Sequence, residues 1–327
     1  MNKLVVKERL IPYRILILEA ILRRLPLSHQ KYQLLLEELG RRKAGYEGEV
    51  SLDYYFRHLP NDKYWILHDL NLPDGEFDLQ IDTLILTQNF ILIIGNKHMT
   101  GKLVFDTDNE QFYQITTDKE KGYAYPMAQE ERHKDFIVKL LAANHLPPAP
   151  VDYLVTLSNL FCSYVITGKN TQKVKPRVGK ADVLLKKVEF FEKNYTNPLF
   201  TTKDLKKLIR LLLKLNTLPT NYLLQKYGLQ KFDFITGVQC PKCQQFSLIR
   251  KKHKWFCSSC ECYSKDAHIQ ALKDYFLLID TRITNKQFRD FMHLKSSDIG
   301  KRLLLSANLN FMRSNRHRYY FPKTIPY

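Results

Sequence analysis

The first guide to this chain is what it lacks. No apolar run approaches the ~18 residues that cross a bilayer, so a membrane-spanning helix is not expected. A secretory leader is not expected either, because residues 1–7 are charged and the apolar pattern over 10–27 is broken by Arg14, Glu19, Arg23, Arg24 and Pro26. Together these point to a cytoplasmic protein without a membrane partner. Internal repeats and low-complexity segments are missing as well. Cysteine is scarce, six in 327 residues. Four of the six form two C-x-x-C pairs, Cys240 with Cys243 and Cys257 with Cys260, leaving Cys162 and Cys262. That usage suits a bound metal in a reducing compartment better than a disulfide framework.

Acidic residues are also in short supply: 33 Asp and Glu stand against 51 Lys and Arg, a net charge of +18. The imbalance is concentrated, with 17 basic and 6 acidic residues over 237–327. A concentrated positive field favours polyanions, and nucleic acid, DNA by default, is the expected partner.

The length and a 44% hydrophobic content allow two or three domains. Changes in pattern divide the chain into an N-terminal helical segment (1–44), a large α/β domain (45–216), a linker (217–236), a small cysteine-bearing domain (237–265) and a basic C-terminal domain (266–327). The helical segment is expected to end at the basic cluster Arg41, Arg42 and Lys43 and to pack on the large domain. A new helix over 46–59 then places Glu49, Leu52, Phe56 and Leu59 on one face, with Glu47 towards solvent. Strands are predicted over 64–70, 80–86, 90–94, 102–105, 153–157 and 164–167, and helices over 126–144 and 203–215. The stretch 107–121 reads as a polar, turn-rich connection.

The stretch over 80–101, QIDTLILTQNFILIIGNKHMTG, is where chemistry is expected. An alternating segment, a turn at Thr87, Gln88 and Asn89, and a continuous apolar run make a hairpin, which sets Asp82 and Lys97 on neighbouring strands. A divalent cation takes oxygen ligands, and a lysine can stabilise charge developing on a phosphate. Asp82, Lys97 and the inward Glu49 are the residue types such chemistry needs.

Taken together, Gly45-Tyr-Glu-Gly-Glu49, Gln80-Ile-Asp82, Phe90 through Lys97, Thr100-Gly-Lys-Leu103 and Tyr125-Pro-Met-Ala-Gln129 resemble the nuclease-related domain (NERD) family over residues 41–144. The resemblance implies a restriction-endonuclease-like mixed sheet flanked by helices. It further implies Asp82 as first metal ligand, Lys97 as catalytic lysine, Glu49 as helix carboxylate and Gln129 as helix glutamine, with Mg²⁺ or Mn²⁺ held by Asp82 and Glu49. The family has a glutamate where this chain has Gly95. Metal-dependent DNA hydrolysis is therefore expected to be weakened or lost, the alternative being a catalytically inactive DNA-binding or regulatory protein. Asp78, on the strand face of Asp82 by two-residue spacing, is a candidate substitute, and Gly95→Glu is expected to raise activity.

Thirteen residues separate the two C-x-x-C pairs, and four thiolates at that interval suit tetrahedral Zn²⁺ in a zinc ribbon. Arg250, Lys251 and Lys252 lie in the intervening hairpin. Helices over 269–280, 285–292 and 298–306, followed by a basic hairpin over 313–321, resemble a winged helix. Lys301 and Arg302 would sit on its recognition helix, with Arg313, Arg316 and Arg318 free to meet phosphates.

Overall fold

The structure, a computed structural model, describes residues 4–75, 77–218, 223–314 and 317–323. In chain order the first elements are β1 (Val5–Lys7), α1 (Tyr13–Arg24), α2 (Tyr32–Phe56), β2 (Trp65–Asp74), β3 (Phe77–Leu86), β4 (Ile91–Lys97), β5 (Lys102–Asp106), β6 (Gln111–Ile115) and β7 (Glu120–Tyr123). Next come α3 (Pro126–Ala143), β8 (Val151–Leu157), β9 (Ser163–Thr167), α4 (Thr171–Val174), β10 (Val178–Lys180), α5 (Leu184–Asn194), α6 (Thr202–Leu215) and α7 (Leu223–Lys226). The chain then continues with β11 (Leu248–Lys251), β12 (Lys254–Cys257), β13 (Tyr263–Ser264), α8 (Ala267–Leu278), β14 (Ile283–Thr284), α9 (Asn285–Met292), α10 (Ser297–Ser306), β15 (Asn310–Ser314) and β16 (His317–Phe321). They divide into two compact units, Met1–Leu10 with Arg42–Thr220, and Ile11–Arg41 with Asn221–Tyr327.

The first unit is a mixed α/β sandwich. Its six-stranded sheet has the order β1-β2-β3-β4-β8-β10; β2, β3 and β4 pair antiparallel, while β4, β8 and β10 run parallel. Strand β4 explains why the apolar run over 90–94 does not alternate with polar residues. Ile91 and Ile93 pack with Ile137 and Leu141 of α3 and Leu208 of α6 on one face. Leu92 and Ile94 pack with Phe56 of α2 and Val188 of α5 on the other, as in strands covered on both sides. The turn before β4 is held by Thr87, whose Oγ1 accepts from the Phe90 N–H (2.9 Å) and donates to the Phe90 carbonyl (2.8 Å).

Two expectations differ here. Residues 107–121 are not a plain connection: β6 and β7 join β5 and β9 in a four-stranded sheet of order β7-β6-β5-β9. Only Phe112 of these two strands is buried, against Phe105, so apolar patterning scarcely marks them. Nor does the chain break at Arg41–Lys43. Helix α2 runs straight through, since a run of basic side chains does not end a helix, and Gly40 and Gly45 each cost only about 1 kcal/mol there.

The second unit takes in α1, so most of the expected N-terminal segment 1–44 groups with the C-terminal residues. Arg24 of α1 is fully buried and ties three pieces of chain together. Its Nε donates to Asp274 of α8 (2.8 Å), its Nη1 donates to the carbonyls of Ile235 (2.8 Å) and Gly237 (3.3 Å), and its guanidinium lies over Phe291. The expected linker 217–236 contains α7 and buries Leu223, Tyr227, Leu229 and Phe234. Strands β11, β12 and β13 form a small antiparallel sheet around the fully buried Trp255. After it come α8, β14, α9, α10 and the hairpin β15–β16, with the antiparallel sheet order β14-β16-β15. Thr284 and Gln287 cap the start of α9 reciprocally, and His293 ends that helix in the left-handed conformation.

Candidate functional site

The β3–β4 ladder runs from Leu86 opposite Ile91 to Thr83 opposite Ile94 and then opens. The next residues along are Asp82 and Gly95, facing each other where the strands part. Asp82 closes the gap with its side chain, its Oδ2 accepting the Asn96 N–H at 2.9 Å. By strand alternation Gly95 and Lys97 share the face of Ile91 and Ile93, towards α3. There Lys97 Nζ donates to Gln129 Oε1 at 3.2 Å, so the expected strand lysine and helix glutamine are brought together.

Glu49 comes from α2, which approaches closely because Gly48 has no side chain. A Cβ at Gly48 would lie 2.5 Å from Ser158 Oγ and 2.7 Å from the His98 Cβ. Glu49 is half-buried, while Glu47 is exposed. The partner of Glu49 is Arg9, a residue the sequence did not single out because it lies far upstream in an unpatterned stretch. Arg9 Nη1 donates to Glu49 Oε2 (2.6 Å) and to the Asp82 carbonyl (3.3 Å). Its Nη2 reaches Asp53 (3.2 Å), Thr83 Oγ1 (3.0 Å) and His68 Nδ1 (2.9 Å). On β2, Asp69, with φ of 50°, interrupts the strand beside this cluster, and Lys7 Nζ takes the carbonyls of His68 and Asp69, both at 2.8 Å.

A second unforeseen residue, Glu130, is only 1% exposed. It shares the inward face of α3 with Met127, His133, Ile137 and Leu141. An acid at a core position of that periodicity is a signal the sequence does carry. Its Oε2 pairs with His133 Nδ1 at 2.9 Å, and its carboxyl group lies against Gly95: a Cβ there would collide with Oε1 and sit 2.7 Å from the carboxyl carbon. Asp78 is exposed on the outer part of β3.

These charges perturb one another. Burial first and the neighbouring Glu130 second raise the Asp82 carboxyl, against the Asn96 hydrogen bond, Lys97 and Arg9. Burial, then the charge of Asp82, pushes Glu49 up to about 8, and Arg9 does not overcome them. Burial, with Arg9 and Lys7 nearby, drives His68 down to about 3.

In the second unit Cys240, Cys243, Cys257 and Cys260 bring their sulfurs within 4.8 Å of one another, an arrangement of four ligand atoms that could hold a metal ion such as Zn²⁺. Among the described residues this is the one such group, so the carboxylates around Asp82 are not drawn together as tightly. The N–H groups of Lys242 and Cys243 point at Cys240 Sγ (3.4 and 3.5 Å), and the Ser247 hydroxyl helps hold Cys257 down to about 6. Cys262 is a fifth thiol, its sulfur 3.2 Å from that of Cys240.

Of the expected phosphate-binding residues, Lys251, Lys252, Lys301, Arg302 and Arg313 are exposed, and Arg318 is half-buried with its guanidinium 4.2 Å over Phe311. Arg250 is drawn inwards over Trp255 and donates to the His253 carbonyl (2.8 Å). Arg316 lies outside the described residues. Lys301, Arg313 and Arg318 line one groove together with Lys286, which the sequence did not flag, and among the described residues no acidic one lines it.

Two measurements follow from this geometry. Metal content should persist in Cys262→Ser and be lost in Cys260→Ser, read by elemental analysis after reducing purification, because the paired knuckles supply four ligands without Cys262. Thermal unfolding should show two pH limbs. His68 takes a proton in the unfolded chain below its ordinary 6.5 but in the folded chain only near 3, so its contribution to stability is lost as pH falls through that window. Glu49 keeps a proton up to about 8 when folded but releases it near 4.5 when unfolded, so its contribution is lost as pH rises through that window. Glu49→Gln should flatten the decline between about pH 6.5 and 8, and His68→Gln the acid decline.

Comparison with known proteins found no matching curated protein and no matching solved structure. A family model does match: residues 44–158 carry a nuclease-related domain, the stretch that contains Glu49, Asp82, Gly95, Lys97, Gln129 and Glu130.

Proposed function

We propose that this protein binds DNA through its basic C-terminal residues and hydrolyses phosphodiesters at Asp82 with a divalent cation. The observation that carries the reading is the opening of the β3–β4 ladder at Asp82, with Lys97 on the α3 face of the adjoining strand and fixed by Gln129. The mixed sheet, covered by helices on both faces, is compatible with a restriction-endonuclease-like core. The donor set fits a hard cation. Asp82 is raised by burial and by a second carboxylate, and oxygen ligands in excess of nearby positive charge suit Mg²⁺ or Mn²⁺. Asp82 and Glu49 would hold the cation, which when bound lowers the pKa of a water and offsets charge on the phosphate. Lys97, kept in place by Gln129, is the cation of the chain itself that would face a phosphate oxygen. Glu49 is turned by Arg9, and release of that contact would free its carboxylate.

For the second unit, the order helix, strand, helix, helix, hairpin, with the first strand paired to the last, supports a winged-helix reading. In it α10 presents Lys301 and Arg302, and β15–β16 is the wing. The cysteine cluster with its small antiparallel sheet supports a zinc ribbon. The groove lined by Lys286, Lys301, Arg313 and Arg318 has the charge a phosphate backbone requires. The second reading, DNA binding without hydrolysis, is favoured by Gly95 and by the looser grouping of the carboxylates.

Incubation with supercoiled plasmid and Mn²⁺ separates the two. Cleavage by the unaltered protein that Asp82→Ala lowers by about 10²-fold or more is expected; cleavage surviving that substitution removes Asp82 from the chemistry, and none by either protein leaves the binding reading. Titration of duplex DNA at several salt concentrations tests the groove. Replacing both Lys301 and Arg318 by Ala should weaken binding irrespective of base sequence and reduce the slope of log affinity against log salt by about 2. An unchanged slope would place the phosphate contacts elsewhere.

A further inference from the structure

We infer that Glu130, projecting from α3, supplies the second carboxylate of this site in the space that Gly95 leaves on the strand. The inference rests on the hydrolytic reading of Asp82 and bears on what Gly95 means. A glycine facing Asp82 at the open end of a hairpin reads, from sequence, as a lost ligand. The space beside it, however, is not empty. The Glu130 carboxyl group fills it so closely that any side chain on Gly95 would strike Oε1. Residue 130 is 1% exposed, its Oε2 pairs with His133, and Oε1 is the oxygen turned to Gly95. A carboxylate withdrawn from water in this way is costly unless something positive meets it. Asp82 lies within reach of its field, Glu130 being the strongest charged neighbour acting on that carboxyl group.

The helix makes this possible. Residues 127, 130, 133, 137 and 141 form the face of α3 that packs on the sheet, so residue 130 must point at β4. With Gln129 beside it holding Lys97, consecutive residues of one helical turn position the lysine and contribute the acid. His133 holds the remaining carboxylate oxygen and so fixes the orientation of the group, as partners behind a ligand commonly do. Gly95 becomes a requirement of this arrangement, since a carboxylate on the strand and one from the helix cannot both occupy the space. Gly95→Glu alone is therefore expected to lower cation binding, the reverse of the expectation from sequence.

The test is Mn²⁺ binding to the full chain, followed by calorimetry and by the Mn²⁺ resonance, with the cysteine cluster already loaded. Glu130→Gln should raise the dissociation constant at least about tenfold. Gly95→Ala should do so as well by pushing the carboxylate aside while keeping the acid and His133 in the chain. That variant keeps the test decisive if Glu130→Gln unfolds. The exchange Gly95→Glu with Glu130→Ala should recover most of the lost affinity. Wild-type affinity in both Glu130→Gln and Gly95→Ala, with Asp82→Asn unable to bind, would overturn the role of Glu130 and leave the Asp82 reading intact. Failure of the exchange to recover an affinity lost in Glu130→Gln would reduce Glu130 to a packing role and also overturn it. Absence of Mn²⁺ binding in the unaltered chain would remove the hydrolytic reading and this inference together.

Discussion

Coverage of β4 on both faces is the constraint on which the first unit depends. Ile91, Leu92, Ile93 and Ile94 alternate between two cores, and all four are fully buried. Burying each contributes about 1.5–3 kcal/mol, so the four together rival the 5–15 kcal/mol net stability typical of a domain. A slip of one residue would still bury apolar side chains, but it would turn Lys97 towards Phe56 and α2 and Asn96 towards α3. The pairing of β4 with β3 and β8 prevents that slip, and the strand's apolar half thereby aims its polar half.

What the strands deliver to their open ends is a local excess of acid. Glu130 of α3 acts on Asp82, and Asp82 in turn acts on Glu49 of α2, while burial raises both Asp82 and Glu49. Arg9 offsets part of the charge from one side, sharing its guanidinium among Glu49, Asp53, Thr83 and the Asp82 carbonyl. His68, held neutral, completes this network without adding a second cation. Optimising stability alone would not gather like charges in this way, because each carboxylate raises the cost of ionising the next. Clusters of this kind mark sites where local consistency yields to function.

Much of this was legible in the sequence, and the failures have physical causes. The hairpin, Asp82, Lys97 and Glu49 were readable because strand alternation and helical spacing put them on definite faces. The helix beginning at Pro126 was marked by proline at its first turn. The cysteine cluster followed from spacing alone. Strands β6 and β7 escaped because the two together bury only Phe112. The continuity of α2 escaped because a run of charge looks like a boundary when only composition is read. Arg9 could not be found from pattern: its importance comes from a contact forty residues away in sequence with Glu49, and nothing local announces it.

Gly48 and Gly95 show why a list of motif positions is not yet a site. Both glycines are places where another group comes too close for a Cβ, and in sequence both read only as a missing side chain. At Gly48 the space is taken by Ser158 and His98, which bring α2 near and set Glu49 beside the sheet. At Gly95 it is taken by a carboxylate. The clue lay thirty-five residues downstream, where an amphipathic helix places an acid and a histidine at core-facing positions that packing alone would fill with leucine or isoleucine. A polar violation of helical periodicity is costly, because a charge on the buried face must find a partner or a purpose. At Glu130 one oxygen found His133, and the other was left pointing at the position where the strand gives up its own side chain.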